Sequence, residues 1–179
     1  MRTGVLALQG DFAAHRAALG GDAVEVRTAA EVDGLDLLVL PGGESTTMLN
    51  LLEGTGIEDA VRRLVARGGT VFGTCAGAIL LAKDVTNPGQ RSWDLLDIGV
   101  ERNAFGRQVD SFEATLEPDG MPAVFIRAPR IRRVGPGVQV LATWKGEPVL
   151  VRQGHVFAAT FHPELTPDRR VHRLVMPAA

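Results

Sequence analysis

Cysteine is nearly missing from this chain, with one residue, Cys75, among 179. A lone cysteine forbids an internal disulfide and cannot build a thiolate zinc site. The four histidines, His15, His155, His162 and His172, show no paired metal-ligand spacing, so no metal is expected. Neither sign of charge is in excess: 19 basic against 21 acidic residues give a net charge of −2. Nothing electrostatic therefore favours nucleic acid or an anionic membrane surface. Long apolar runs are absent too. Thr3 to Leu8 is too short for a membrane span and lacks a signal-peptide cleavage pattern, which points to a cytoplasmic protein. There is no repeat, low-complexity tract or interdomain linker, so residues 1–179 are expected to form a single domain with a real core.

Apolar strand-like runs stand at Gly4–Leu8, Val24–Arg27, Leu35–Leu40 and Thr70–Gly73, with helix-like segments between them. Ile57–Arg67 places Ile57, Ala60, Val61, Leu64 and Val65 on one helical face, and Gly68-Gly69 supplies a stop. Short, continuous apolar strands alternating with helices predict an α/β fold, a doubly wound and largely parallel sheet flanked by helices. From about Ile98 the pattern changes to successive strand-like stretches, Phe112–Leu116, Ala123–Ile126, Val138–Trp144, Pro148–Arg152 and Val156–Phe161. These predict an antiparallel extension. A last helix is expected from about Asp168 to Val175.

The one cysteine sits in Gly73-Thr74-Cys75-Ala76-Gly77, where a strand-like run passes into the helix-like segment Ala76–Ala82. Small neighbours permit the sharp turn that lifts a nucleophile above a parallel sheet, as in the G-x-S-x-G elbow with sulfur in place of oxygen. Unpaired N–H groups at the helix start favour negative charge there. The plainer reading is a small buried hydrophobe. Near the C-terminus stands Phe161-His162-Pro163-Glu164-Leu165. Pro163 pushes His162 toward extended geometry, in which residues two apart project to the same side, so His162 and Glu164 can be neighbours. A thiol, an imidazole to carry its proton and a carboxylate to orient the imidazole are the parts of nucleophilic cysteine catalysis. A solvated surface loop is the alternative for the last two. Ligands of such sheets bind beyond the carboxyl ends of the strands, where Gln9-Gly10-Asp11 and Pro41-Gly42-Gly43-Glu44-Ser45-Thr46-Thr47 also fall. The second loop has no lysine and is not a Walker loop. Its glycines can aim N–H groups at an oxyanion or make a tight turn, with Ser45 or Thr46 capping a helix Thr47–Leu52.

Six segments, Leu6–Phe12, Leu40–Met48, Gly73–Ala78, Arg102-Asn103-Ala104-Phe105-Gly106-Arg107-Gln108, Phe125–Pro129 and Phe161–Thr166, resemble in order the signatures of the glutaminase subunits of pyridoxal 5′-phosphate synthase. G-x-C-x-G with H-P-E is shared by the wider class I glutamine amidotransferases, and the Gly-Gly-Glu-Ser-Thr-Thr and Arg-Asn-Ala-Phe-Gly-Arg-Gln stretches narrow the likeness. The chain departs from the pattern in a shortened region after Glu117 and a brief tail after Val175.

The resemblance implies that Cys75, His162 and Glu164 hydrolyse L-glutamine to L-glutamate and ammonia. By resemblance Gly43, Glu44, Ser45, Arg102, Ile126 and Arg127 contact glutamine, and N–H groups at Gly43 and Ala76 form the oxyanion hole. The implied partner is a separate synthase subunit in a large ring-shaped hetero-oligomer, which combines the ammonia with two phosphosugars. Pyridoxal 5′-phosphate is then a product of the assembly, and no cofactor is expected here. A Schiff base is disfavoured by the presence of only Lys83 and Lys145. Two alternatives stay open at this level: a related elbow-cysteine hydrolase or stress protein, and a catalytically silent binding module.

Overall fold

Strands of short, fully apolar sequence alternate with helices over the first half of the computed structural model, which describes residues 1–104 and 111–177. Phe105, Gly106, Arg107 and Gln108 of the fourth signature lie outside the described residues. In chain order the elements are β1 (Thr3–Leu6), α1 (Phe12–Ala18), β2 (Val24–Val26), α2 (Ala29–Val32), β3 (Leu37–Leu40), α3 (Ser45–Leu52), α4 (Ile57–Ala66), β4 (Thr70–Thr74) and α5 (Ala76–Leu81). There follow β5 (Ala82–Thr86), β6 (Leu96–Glu101), β7 (Ser111–Leu116), β8 (Met121–Ile126), β9 (Arg130–Val134), β10 (Gln139–Trp144), β11 (Glu147–Gln153) and β12 (Val156–Ala159). A 3₁₀ turn (Pro163–Leu165) and α6 (Arg170–Val175) end the series.

The main sheet has the order β10-β11-β12-β4-β3-β1-β2. Strands β2, β1, β3, β4 and β12 run parallel, and β11 and β10 add to the edge antiparallel. Successive side chains of β3 go to opposite faces, and all four are buried. Leu38 and Leu40 join one apolar cluster with Met48, Leu64 and Leu80 under α3, α4 and α5. Leu37 and Val39 join another with Leu19, Val171 and Val175 beside α1 and α6. Burial on both faces explains why these strands carry no polar alternation.

Helix α4 buries Ile57, Ala60, Val61 and Leu64, as its spacing predicts. It ends where Gly68, at φ +86°, lets the Gly68 and Gly69 N–H groups return to the carbonyls of Val65 and Leu64. Three expectations need correction. Val156–Phe161 is not a further antiparallel strand only: β12 stops at Ala159 and pairs parallel with β4 as well as antiparallel with β11. Its run of four buried residues is that of an inner strand. All three strands of a separate sheet, β5, β6 and β9, lack a predicted counterpart, and β5 and β9 are its outer strands. Their sequences, Ala-Lys-Asp-Val-Thr and Arg-Ile-Arg-Arg-Val, are mostly polar because one side faces solvent. Finally, α3 begins at Ser45 and is capped by Glu44, not by Ser45 or Thr46.

Among the described residues no helix is long and apolar enough to cross a membrane.

Candidate active site

The chain leaves β1 for β2 on one side and then returns to place β3 on the other, so the order reverses between β1 and β3. Crevices of this kind open at the carboxyl ends of the strands. The loops after β1, β3, β4 and β12 converge there. An added Cβ at Gly10 would lie 1.9 Å from the Gly42 carbonyl oxygen, so the first two loops are in backbone contact.

Cys75 caps α5 at φ 47° and ψ −103°, a backbone region that residues with a Cβ rarely occupy. This is the strained elbow expected of the pentapeptide. It is held by close packing, since a Cβ on Gly73 would lie 2.5 Å from the Gly77 carbonyl and one on Gly77 would lie 2.2 Å from the Leu40 carbonyl oxygen. The Cys75 amide donates to the Ala159 carbonyl at 2.8 Å, tying the elbow to the end of β12.

His162 follows β12 with extended backbone, φ −109° and ψ 86°, and its amide donates to the Val124 carbonyl on β8 at 2.8 Å. Phe161 beside it packs against Phe125, which stacks on Phe112 at 4.7 Å. Glu164 lies in the 3₁₀ turn, not in an extended segment. The turn still brings the two side chains together, with His162 Nδ1 2.7 Å from Glu164 Oε1. Burial opposes a charge on His162, but hydrogen bonds with Cys75 and Glu164 and the charges of both outweigh it and raise the imidazole to about 10. Burial likewise opposes a charge on Glu164, yet the His162 hydrogen bond and the neighbouring histidine charges hold it below the ordinary carboxylate value. At neutral pH the pair is imidazolium and carboxylate.

Cys75 and His162 line a cavity of about 190 Å³ together with Gly43, Glu44, Ser45, Arg102, Ile126 and Arg127. All six positions that resemblance assigns to glutamine thus share one wall system. Ala76 opens α5, so its N–H has no partner within the helix. Gly43 takes φ +141°, which favours glycine. Ser45 is buried and its hydroxyl donates to Gln90 Oε1 at 2.9 Å. Burial would raise the Glu44 carboxyl, but donations from the Thr46 and Thr47 amides and hydroxyls lower it to about 2. Its Oε1 also lies 3.3 Å from the Arg102 guanidinium. Arg127 is exposed at φ 42°. Ile126 turns its carbonyl oxygen toward the Cys75 sulfur at 4.0 Å. A larger hollow, about 780 Å³, lies between Leu49, Glu53, Glu58 and Arg91, and its lining holds no cysteine, histidine or serine.

Sequence reasoning gives several residues no role of their own in the site, although Gln9, Asn103 and Pro129 stand in the segments quoted above. Ile79, Asn103 and Pro129 also line the cavity, and Gln9 Nε2 donates to the Glu44 carbonyl at 2.5 Å. His15 and His172, which in sequence show only the lack of metal spacing, are both buried behind Glu164. For His15 a signal exists: Phe12, His15 and the C-capping Leu19 recur at helical spacing along α1.

The profile of the SNO glutamine amidotransferase family matches residues 5–178. The chain is 54% identical to "Pyridoxal 5′-phosphate synthase subunit PdxT" of Solibacter usitatus, covering 98% of this chain and 97% of that one. Identity to a protein of the same name from Thermus thermophilus is also 54%, with coverage of 98% and 96%. Among solved structures, one described as "Crystal structure of glutamine amidotransferase" superposes with a TM-score of 0.91 at 54% identity, covering 98% of this chain and 97% of that chain. "Structure of PurLQS from Thermotoga maritima" matches at a TM-score of 0.72 and 18% identity, covering 97% of this chain and 96% of that chain, a likeness of fold alone. With an elbow cysteine, a histidine–glutamate pair and near full-length relatives, the chain belongs to the SNO glutamine amidotransferase family.

Proposed function

We propose that this chain is the glutaminase subunit of a pyridoxal 5′-phosphate synthase, acting in the cytoplasm as a single amidotransferase domain. The observation that carries the catalytic assignment is His162, which hydrogen-bonds Glu164 at 2.7 Å while sharing a cavity wall with Cys75. Glutamine enters that cavity with its side-chain carboxamide over Cys75. The sulfur attacks the carboxamide carbon, and the N–H groups of Gly43 and Ala76 receive the developing oxyanion. His162 gives its proton to the departing nitrogen as the C–N bond breaks, and ammonia leaves. A water molecule, deprotonated by the now neutral imidazole, attacks the γ-glutamyl thioester. Glutamate is released and Cys75 is restored, so glutamine and water become glutamate and ammonia. Arg102 and Arg127 offer guanidinium groups to the substrate α-carboxylate, and Glu44, Ser45 and Ile126 complete the pocket. The ammonia passes to a synthase subunit in a ring-shaped hetero-oligomer.

Glutamate release from glutamine is measured with and without the synthase subunit, for the parent and for Cys75→Ala. The alanine variant is expected to lose at least about a thousandfold in kcat. Its complex should still make pyridoxal 5′-phosphate from the two phosphosugars when ammonium salt replaces glutamine, because the triad contributes only ammonia. Substantial hydrolysis by Cys75→Ala removes the nucleophile assignment. Failure of ammonium to rescue an intact complex removes the role as ammonia donor.

A further inference from the structure

Behind the carboxylate lie two histidines that the reaction just described does not use. His15, on α1, and His172, on α6, are 0% and 1% exposed. A fully buried histidine must find polar partners, since an unpaired ring nitrogen in the interior costs about 1–3 kcal/mol. Here the partners form a line toward the active site. His172 Nε2 is 3.1 Å from His15 Nδ1. On the other side of the ring, His15 Nε2 is 3.1 Å from Thr74 Oγ1 and 3.3 Å from Glu164 Oε2. Thr74 immediately precedes the nucleophile. Among the described residues no group of histidine, cysteine and carboxylate side chains could hold a metal ion.

The partners assign the tautomers. His172 Nδ1 is buried with no hydrogen-bond partner among the described residues, so a proton there would be an orphaned donor, the rarer defect in folded interiors. The His172 proton therefore sits on Nε2 and is donated to His15 Nδ1. His15 then carries its own proton on Nε2, facing Thr74 and Glu164. The opposite tautomer would turn a bare nitrogen lone pair on a carboxylate oxygen. At 3.3 Å the contact with Oε2 is close but its alignment falls short of a hydrogen bond; the hydrogen bond of His15 Nε2 is with Thr74 Oγ1. Glu164 Oε2 has no other partner of its own among the described residues.

We propose that His15 is a positioning residue of the glutaminase: its neutral Nε2–H, anchored on Thr74 Oγ1, lies 3.3 Å from the rear oxygen of Glu164 and attracts it electrostatically, so that the front oxygen stays aimed at His162, while His172 fixes the His15 tautomer. This rests on the Cys75–His162–Glu164 reading above. Burial keeps both rings neutral, lowering His15 and bringing His172 to about 4. The charged and titratable groups around Glu164 are His162 in its own segment, His15 and Asp11 from α1 and its cap, His172 and Arg169 from α6 and its cap, and Cys75 on the elbow.

The test compares His15→Gln with His15→Asn in the complex with the synthase subunit. Glutamine places its amide nitrogen near the Nε2 position and keeps a donor for Glu164. Asparagine reaches only the Nδ1 position, toward His172. We expect His15→Gln to keep kcat within about threefold and His15→Asn to lose about ten- to a hundredfold, with KM nearly unchanged, in line with the cost of removing an outer orienting partner. A second readout needs no substrate. Cys75 is the only thiol, so its alkylation by iodoacetamide against pH reports the thiol–imidazole–carboxylate unit directly. Without its rear donor Glu164 protonates more readily, and the acid limb of that profile should move to higher pH in His15→Asn but not in His15→Gln. Equal kcat and superimposable alkylation profiles in the two variants would overturn the proposal, leaving His15 as packing. If neither variant folds, His172→Phe decides: loss of the fixed tautomer should lower kcat severalfold and shift the same limb, and a parent-like profile overturns the proposal. A parent protein that releases no glutamate with synthase present, while the alkylation shift persists, refutes the glutaminase reading and not the positioning role.

Discussion

Gly42 decides how closely the loop after β3 approaches Cys75 and His162. A Cβ built on it would stand 2.4 Å from His162 Cε1 and 3.4 Å from Cys75 Cβ. The loop backbone therefore lies against both members of the pair, and a side chain as small as a methyl must displace the imidazole. A 1 Å misplacement of a catalytic group costs about a hundredfold. We expect Gly42→Ala to lower kcat of the complex by about that factor, together with a fall in melting temperature because Gly42 is buried against the imidazole. Steady-state kinetics beside a thermal melt check this. A kcat within about threefold of the parent would show that the imidazole has room to move.

The junction of β4 and α5 is the element that holds the elbow. Its strain at Cys75 persists only because the surroundings over-determine it. The packing of Gly73 against the Gly77 carbonyl and the Ala78 nitrogen, at 2.5 and 2.8 Å from a would-be Cβ, is backbone on backbone and cannot yield by a rotamer change. Gly73→Ala should therefore push α5 away from β4. The expected cost is about 1–3 kcal/mol in stability, together with a loss of kcat measured below the lowered melting temperature. Chemical denaturation gives the first quantity and glutamate release the second. An alanine variant with parental stability would mean that the elbow relaxes freely. Phe112 on β7 and Phe125 on β8 stack on each other, and Phe125 packs at a tilt against Phe161, supporting the histidine arm in a comparable way.

Acid stability is a property of the whole molecule, because α1, α6 and the 3₁₀ turn meet through His15, His172 and Glu164. His172 titrates near 6.5 when unfolded and at about 4 when folded, chiefly through burial. Between those values the unfolded chain binds the proton and the folded chain does not, so each step down in pH favours unfolding. The linked loss across the window is on the order of 3 kcal/mol. His15, also lowered by burial, acts in the same direction. Below about 4.5 Glu164 adds to the loss, since its folded carboxyl is lowered and its stabilisation disappears as it protonates. The melting temperature should fall steeply from about pH 6.5 to 4 and less steeply in His172→Phe. Identical slopes would show that His172 is not the group being titrated.

The sequence by itself determined what depends on neighbours in the chain. Apolar runs of strand length alternating with one-faced helices dictate a sheet buried on both sides, and the strand-to-helix passage at Cys75 dictates an elbow. The His162–Glu164 contact is also local, spanning a single intervening residue, although a 3₁₀ turn and not an extended segment makes it. Tertiary structure decided the rest. Cys75 meets His162 only because β12 pairs parallel with β4, Ala159 opposite Thr74, and no periodicity in either segment encodes that choice of neighbour. The polar strands β5 and β9 were illegible because their burial comes from one side only. Glu44 took the cap of α3 from Ser45 because its longer side chain reaches the Thr46 and Thr47 amides from outside the helix. His15 and His172 are far apart in sequence. They become partners when α1 and α6 cover the same face of the sheet, where burial makes each ring require the other.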